Sequence, residues 1–252
     1  PVMTRALRGY IRPEIEHTPF CPGCGHGSLM GAILRAIGDL GWNMDEMLFV
    51  SGIGCAGWIP SPHFNADTLH TLHGRAVAFA TGAKLFNPAL KVMVIGGDGD
   101  LTSIGGNHLI HAARRNIDLT VVCANNMIYG MTGGQAASTT PVGCLSSTTP
   151  QGNPYPPFDL CKLLEGAGAR YVARFAITQP VELREAIKKA LTLEGFTFVE
   201  AISPCPTQFG RRNKIDQAAD MIRYLQQHCI PKEEATGHEG PDTIITGEFV
   251  GA

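Results

Sequence analysis

The sequence predicts an α/β fold, a mostly parallel sheet with helices on both faces. Two observations carry this. Residues 91–135 read as strand, helix, strand: an apolar β-branched run KVMVI, a helical pattern through Leu109, Ile110, Ala112 and Ala113, then a second apolar run over 119–124. Such a crossover makes its two strands parallel. Short apolar runs at 47–50, 171–175 and 196–202 then alternate with helical patterns, the rhythm of βαβ units rather than of hairpins.

Taken in order, residues 1–20 are polar and proline-punctuated and are expected to form an arm over the surface. After Cys21-Pro-Gly-Cys24-Gly-His26-Gly a helix is expected. Ser28 is its N-cap, Leu29, Met30, Ile33, Leu34 and Ile37 share one face, and Gly41 is the stop. The strand at 47–50 ends in the glycine-rich turn Ser51-Gly-Ile-Gly-Cys55-Ala-Gly-Trp58. His70-Thr-Leu-His73-Gly-Arg75 enters an alanine-rich helix running to about Phe86. Its small residues Ala76, Ala78, Ala80, Gly82 and Ala83 predict close approach to another backbone.

Residues 133–157 are rich in Gly, Ser, Thr and Pro without an apolar period. A loop that long inside a compact domain predicts an active-site or interface role. A helix over 159–166 and a strand over 171–175 follow, then a helix with Thr178 as N-cap and Pro180 in its first turn. The strand at 196–202 ends in Ser203-Pro-Cys205-Pro. The basic run Arg211-Arg212-Asn-Lys214 is expected to open a last amphipathic helix to about His228, and the tail from Pro231 to be partly disordered or an extended arm.

With 252 residues, 44% of them hydrophobic, the chain is expected to be one domain, 1–252, with an N-terminal arm and a C-terminal tail. A formal net charge of -2 offers no electrostatic case for nucleic acid or a membrane surface. No apolar run approaches the ~20 residues that span a bilayer, and no charged-then-apolar signal segment opens the sequence. Eight scattered cysteines suit metals or a core better than disulfides, so the expected location is cytoplasmic.

Asp98 and the pair Asn125-Asn126 leave the same carboxyl edge of the sheet, where open α/β sheets bind ligands. Asp98 and Asn126 offer hard oxygens suited to Mg²⁺ completed by phosphate, and Gly97 and Gly99 let backbone N–H groups approach a diphosphate. The Gly97-Asp98-Gly99 stretch is neither a Walker loop, since no Gly-Lys-Ser/Thr follows, nor a G-x-G-x-x-G fingerprint. Gly-Asp-Gly followed after this spacer by Asn-Asn resembles the thiamine-diphosphate (TPP) enzymes. The resemblance implies the thiamine-diphosphate-binding fold, with Asp98, Asn126 and the Ile128 carbonyl as Mg²⁺ ligands. It also implies that Gly99, Asp100, Gly130 and Met131 touch the cofactor.

Cys21 and Cys24 form a C-x-x-C flanked by Pro and Gly, Cys55 lies in a strand-end turn, and Cys205 sits between prolines at another. Four thiolates suit a tetrahedral Zn²⁺ or a [4Fe–4S] cluster, and residue chemistry leaves the two open. Cys123 lies inside a buried strand. Cys144, Cys161 and Cys229 have no C-x-x-C company, and all four stand outside the expected ligand set.

Together these pieces resemble the β subunit of the two-subunit 2-oxoacid:ferredoxin oxidoreductases. The matching segments are CPGCGH at 21–26, SGIGCAGW at 51–58, TLHGRAVAFATGAKL at 71–85, GGDGDLTSIGGNHLIHAARRN at 96–116, NNMIYGMTGGQ at 125–135 and CPTQFGRRNK at 205–214. The resemblance implies that Ile53, Gly54, Cys55, Ala56 and His73 line the TPP pocket, with His73 the candidate catalytic residue. It implies Cys21, Cys24, Cys55 and Cys205 as ligands of a [4Fe–4S] cluster. A separate α subunit would hold much of the CoA site and the glutamate that activates the cofactor, and two αβ pairs would assemble as a heterotetramer. The implied reaction is oxidative decarboxylation of a 2-oxoacid with CoA, electrons passing to ferredoxin, reversible as reductive carboxylation.

CPTQFGRRNK and SIGGNHLIHA look most like the 2-oxoglutarate-using members. A second substrate carboxylate wants a cation, which Arg75, Arg211, Arg212 and Lys214 can offer, although 211–214 also reads as a solvated helix start and an α-subunit arginine is a further source. Trp58 can shape the pocket, and His26 can hydrogen-bond the cofactor or a cluster sulfur. His108 and His111 read as structural. The competing expectations are the same chemistry on pyruvate or a branched-chain 2-oxoacid, and a zinc-stabilised, non-catalytic nucleotide-binding module.

Overall fold

In a computed structural model, residues 5–215, 217–237, 240 and 242–251 are described. Eight strands form one sheet: β1 (Met47–Ser51), β2 (Asp67–His70), β3 (Lys91–Gly97), β4 (Leu119–Asn125), β5 (Tyr171–Ala176), β6 (Phe196–Ile202), β7 (Cys229–Pro231) and β8 (Ile244–Val250). Their spatial order is β2-β1-β3-β4-β6-β5-β8-β7. Every pairing is parallel except β5 with β8. The α/β expectation is met.

Period-two alternation in the strands builds two apolar layers. Phe49, Met93, Ile95, Val122 and Val199 face helices α1 (His26–Leu40) and α5 (Pro180–Thr192) through Leu29, Ile33, Ile37, Leu183 and Ile187. On the opposite face Val50, Val92, Val94, Val121 and Phe198 meet α2 (Ala76–Phe86), α3 (Gly106–Arg114) and α4 (Leu160–Gly166). The last helix is α6 (Ala218–His228). The strand interiors in this sandwich are mostly apolar, so the strand ends carry most of the polar chemistry.

Several boundaries differ from expectation. α1 begins at His26 with Gly25, not Ser28, as N-cap, because the Cys24 turn already feeds the helix. Gly41 closes it at φ 64. α5 is capped at Gln179 rather than Thr178. The basic run does not open α6: a π-type turn, Pro206–Gly210, precedes it, and Lys214 takes φ 62, which breaks the helical path before Ala218. Only part of the small-residue surface of α2 is buried. Ala76 and Ala80 pack inward, while Ala78 and Gly82 face out.

The tail is not an arm. β8 pairs antiparallel with β5, so it extends the sheet. The N-terminal stretch does lie over the surface, and Arg12 ties it down by donating to the carbonyls of Phe64 (2.8 Å) and Ala66 (3.1 Å). Residues 1–4 of that arm and 238, 239, 241 and 252 of the tail lie outside the described residues.

Candidate active site

Strands β1, β3, β4 and β6 run parallel, so their carboxyl ends, and the loops after them, gather on one edge. Gly97 is in register with Ala124 across β3 and β4, which brings Asp98 and Asn126 out side by side. Asp98 is buried. Burial pushes its carboxyl up to about 6, against hydrogen bonds from the Thr139 hydroxyl and the Asn126 N–H that favour the charged form.

One terminal atom of the Asn126 amide stands 2.7 Å from the Ile128 carbonyl oxygen and 3.3 Å from Asp98 Oδ1. With nitrogen there, the amide donates to both. With oxygen there, three oxygens crowd together, and a cation between them makes that arrangement favourable. A carboxylate, an amide oxygen and a peptide carbonyl are a hard-oxygen set of the kind Mg²⁺ takes. The residues fit the ion.

Beside them, Asp100 is a buried hub. Its Oδ1 accepts from His73 Nδ1 (2.6 Å), the Gly74 N–H (2.7 Å) and the Ile53 N–H (3.2 Å). Donation from Nδ1 fixes the His73 tautomer and leaves Nε2 free. Asp100 Oδ2 is buried with no protein partner. Close approach explains two glycines: a Cβ on Gly52 would sit 2.1 Å from Asp100 Oδ2, and one on Gly99 2.5 Å from the Tyr129 ring. The Tyr129 hydroxyl donates to the Gly99 carbonyl at 2.9 Å.

Ile53, Gly54, Cys55, Ala56, His73, Asp98, Gly99, Asp100, Asn126, Ile128, Gly130 and Met131 all line one cleft, so the expected TPP and Mg²⁺ residues are brought together. Cys21, Cys24, Cys55 and Cys205 line a neighbouring cavity of about 320 Å³ with Phe20 and Trp58. Cys21 is exposed and Cys205 buried. The C-x-x-C turn closes through a Cys24 N–H to Cys21 carbonyl bond (3.0 Å), with Gly23 at φ 79. Burial foremost, with the other three thiols adding, pushes Cys24 up to about 12, and burial with Cys205 and Cys21 raises Cys55. A cationic centre bound here would displace those protons. Among the described residues no three His, Cys, Asp or Glu side chains converge on a single ion. All four thiols line the one cavity.

His26, Cys55, Asn126, Gly130 and Met131 belong to both cavities, which therefore share a wall. His26 is buried with Nδ1 unpaired. Burial lowers its imidazole to about 4, which keeps it neutral.

The remaining candidates lie outside the cleft. Arg75, Arg211, Arg212 and Lys214 line neither cavity. Arg212 donates to the Gly133 carbonyl at 2.9 Å and braces the long loop, while Arg211 and Lys214 are exposed. Trp58 faces the thiol cavity rather than the cleft. His108 is partly exposed and His111 exposed on α3. Sequence reasoning missed Tyr129, and also Thr139, whose hydroxyl donates to Asp98 Oδ2 at 2.5 Å. The Ser/Thr richness of 133–157 was the one available signal.

Comparison with known proteins agrees with this geometry. Residues 52–201 match the family model of the thiamine pyrophosphate enzyme, C-terminal TPP binding domain. The chain is 48% identical to the 2-oxoglutarate synthase subunit KorB of Methanothermobacter thermautotrophicus, over 95% of this chain and 85% of that one. It is 46% identical to the same subunit of Methanocaldococcus jannaschii, over 98% and 92%. A solved structure of 2-oxoglutarate:ferredoxin oxidoreductase from Magnetococcus marinus, with 2-oxoglutarate, coenzyme A and succinyl-CoA bound, superposes with a TM-score of 0.86 at 35% identity, covering 98% of this chain and 84% of that chain.

Proposed function

We propose, because this chain belongs to the family of 2-oxoglutarate synthase KorB subunits, that it is the TPP-binding β subunit of a 2-oxoglutarate:ferredoxin oxidoreductase. The reaction is oxidative decarboxylation of 2-oxoglutarate with CoA to succinyl-CoA and CO₂, and its reverse is reductive carboxylation. The shared wall carries this reading: a cleft for a metal-anchored diphosphate abuts a cavity lined by four thiols. When bound, TPP supplies the nucleophile and electron sink for decarboxylation, and a [4Fe–4S] cluster supplies one-electron transfer.

The chain's own residues hold and aim these groups as one diphosphate-binding domain. Asp98, Asn126 and the Ile128 carbonyl would hold Mg²⁺. Asp100 sets the His73 tautomer so that Nε2 presents to the cleft, where it can take or give a proton. Ile53, Gly54, Ala56, Gly99, Gly130 and Met131 shape the cofactor seat and exclude water. Cys21, Cys24, Cys55 and Cys205 would hold the cluster, with exposed Cys21 marking the side open to ferredoxin.

A separate α subunit completes the site and carries much of the CoA pocket, and two αβ pairs assemble together. Exposed Leu72 and Ile104 beside the cleft, and Phe79, Leu85 and Phe86 on α2, offer apolar surface of the sort a partner covers. Among the described residues no helix is long and apolar enough to cross a membrane. Eight free cysteines suit the reducing cytoplasm.

The test is anaerobic viologen reduction by the complex with its α partner, given CoA, Mg²⁺ and TPP, with 2-oxoglutarate, pyruvate and 2-oxoisovalerate supplied separately. Highest kcat/KM on 2-oxoglutarate supports the proposal. Preference for another acid keeps the reaction class and overturns the substrate.

A further inference from the structure

The long loop between β4 and α4 touches the metal-binding turns through three consecutive hydroxyls. Ser138 Oγ lies 2.9 Å from Thr102 Oγ1 and accepts from Ser103 Oγ at 3.0 Å, while its N–H donates to Ser103 Oγ at 2.9 Å. Thr139 Oγ1 donates to Asp98 Oδ2 at 2.5 Å. Thr140 Oγ1 donates to the Met127 carbonyl at 2.6 Å. Thr139 is 4% and Thr140 0% exposed.

These contacts divide the labour of the atoms they meet. Asp98 Oδ2 is occupied by Thr139, which leaves Oδ1 as the oxygen turned toward Asn126. Met127 lies between the two proposed ligands of its turn and adopts φ 63. That conformation is uncommon for a residue with a side chain, and here it is held at both ends. The Met127 N–H donates to Asn125 Oδ1 at 3.0 Å, and its carbonyl accepts from Thr140. The loop is itself anchored, since Asn153 Nδ2 donates to the Thr140 carbonyl at 2.7 Å.

We infer that Ser138-Thr139-Thr140 is a positioning clamp for the divalent cation: Thr139 restricts Asp98 to single-oxygen ligation, and Thr140 holds the Asn126–Ile128 turn in its ligating shape. This rests on the proposed Mg²⁺–TPP site and adds to it the residues that preset its geometry. The long loop thereby acts as a strut of the metal site. Losing a partner that orients a metal ligand commonly costs about 10–100-fold in metal affinity.

The test uses the αβ complex with TPP and Mn²⁺ as the spin-visible probe, with cluster absorbance and circular dichroism as checks of assembly. Thr139→Val keeps the shape and removes the donor, and it is expected to weaken Mn²⁺ binding by about 10–100-fold. Thr139→Ser, which restores the hydroxyl, is expected to bind within a few-fold of the parent. Thr140→Val provides an arm that leaves the Asp98 contact in place, and Ser138→Ala, at a partly exposed position, is the mildest. If Thr139→Val fails to assemble, Thr140→Val decides. An assembled Thr139→Val or Thr140→Val that binds Mn²⁺ as tightly as the parent overturns the clamp, as does Thr139→Ser binding as weakly as Thr139→Val. A parent complex that binds no Mn²⁺ with TPP overturns the underlying site instead.

Discussion

His73 Nδ1 and Asp100 Oδ1 lie 2.6 Å apart, and the same carboxylate oxygen takes the backbone N–H groups of Gly74 and Ile53. One buried side chain therefore joins the loop after β1, the loop after β2 and the turn after β3. Asp100→Ala leaves these donors without their acceptor, at a cost of about 2–3 kcal/mol, and frees the His73 ring. The expected outcome in denaturant melts is a lowered midpoint. His73→Phe, by contrast, is expected to keep the cluster absorbance and lose about 100-fold or more in kcat, the range of a lost proton-transfer group.

Asp98→Ala removes the carboxylate from the proposed cation site. Mg²⁺-dependent TPP retention should be lost in gel filtration of the complex, while the cluster absorbance persists. Unchanged TPP retention would remove Asp98 from the ligand set.

Metal affinity should follow the Asp98 proton. Burial raises its carboxyl to about 6 in the metal-free site, so below that pH a proton occupies the group and the cation must displace it. The sign is fixed: apparent affinity rises about tenfold per pH unit up to roughly 6 and levels off above. Mn²⁺ titrations of the TPP complex between pH 5 and 8, taken as about the stable range, check this. An affinity that is flat across that interval contradicts it.

The central βαβ unit was legible in the sequence because its signals are local. β3 and β4 are short, continuous apolar runs rich in β-branched residues, and β6 was placed over the same residues the structure shows. β2 escaped because Asp67–His70 is short and half-exposed and carries no apolar pattern. β8 escaped for a different reason. Its partner is β5, distant in sequence, and Gly247 at φ 140 interrupts its apolar run, so only tertiary pairing identifies it as a strand. Within the site, Asp98, Asn126 and the thiols were legible through the motifs that carry them, Gly-Asp-Gly followed by Asn-Asn and C-x-x-C with two further strand-end cysteines, and through the resemblance those motifs support, since Asp and Asn alone also serve plain turns. Thr139 and Thr140 were not, since hydroxyls in a loop serve turns, caps and surfaces alike, and the long-range contact alone sets them apart.

Behind the Asn126–Ile128 turn, Glu200 accepts from Arg174 Nε (2.7 Å) and Asn125 Nδ2 (2.7 Å), and Asn125 in turn holds Met127. Arg174 also meets Asp159 at 2.7 Å. Glu200→Ala strips the buried guanidinium of its main partner and is expected to cost about 3 kcal/mol, the low end for breaking a buried pair. Equilibrium unfolding checks this, and a change below about 1 kcal/mol would show that Asp159 suffices.

Cysteine substitution should separate the thiols by place. Cys24→Ser, Cys55→Ser and Cys205→Ser are expected to lose the iron–sulfur absorbance. Cys161→Ser, on α4 beside Glu200 and away from the thiol cavity, is expected to keep it.

The most direct measurement of the whole account is anaerobic electron paramagnetic resonance of the αβ complex after adding 2-oxoglutarate and CoA without an electron acceptor. The account predicts a reduced-cluster signal that requires TPP and Mg²⁺ and disappears in Asp98→Ala. Stoichiometric zinc in place of iron, or a cluster that stays oxidised with every component present, would contradict it.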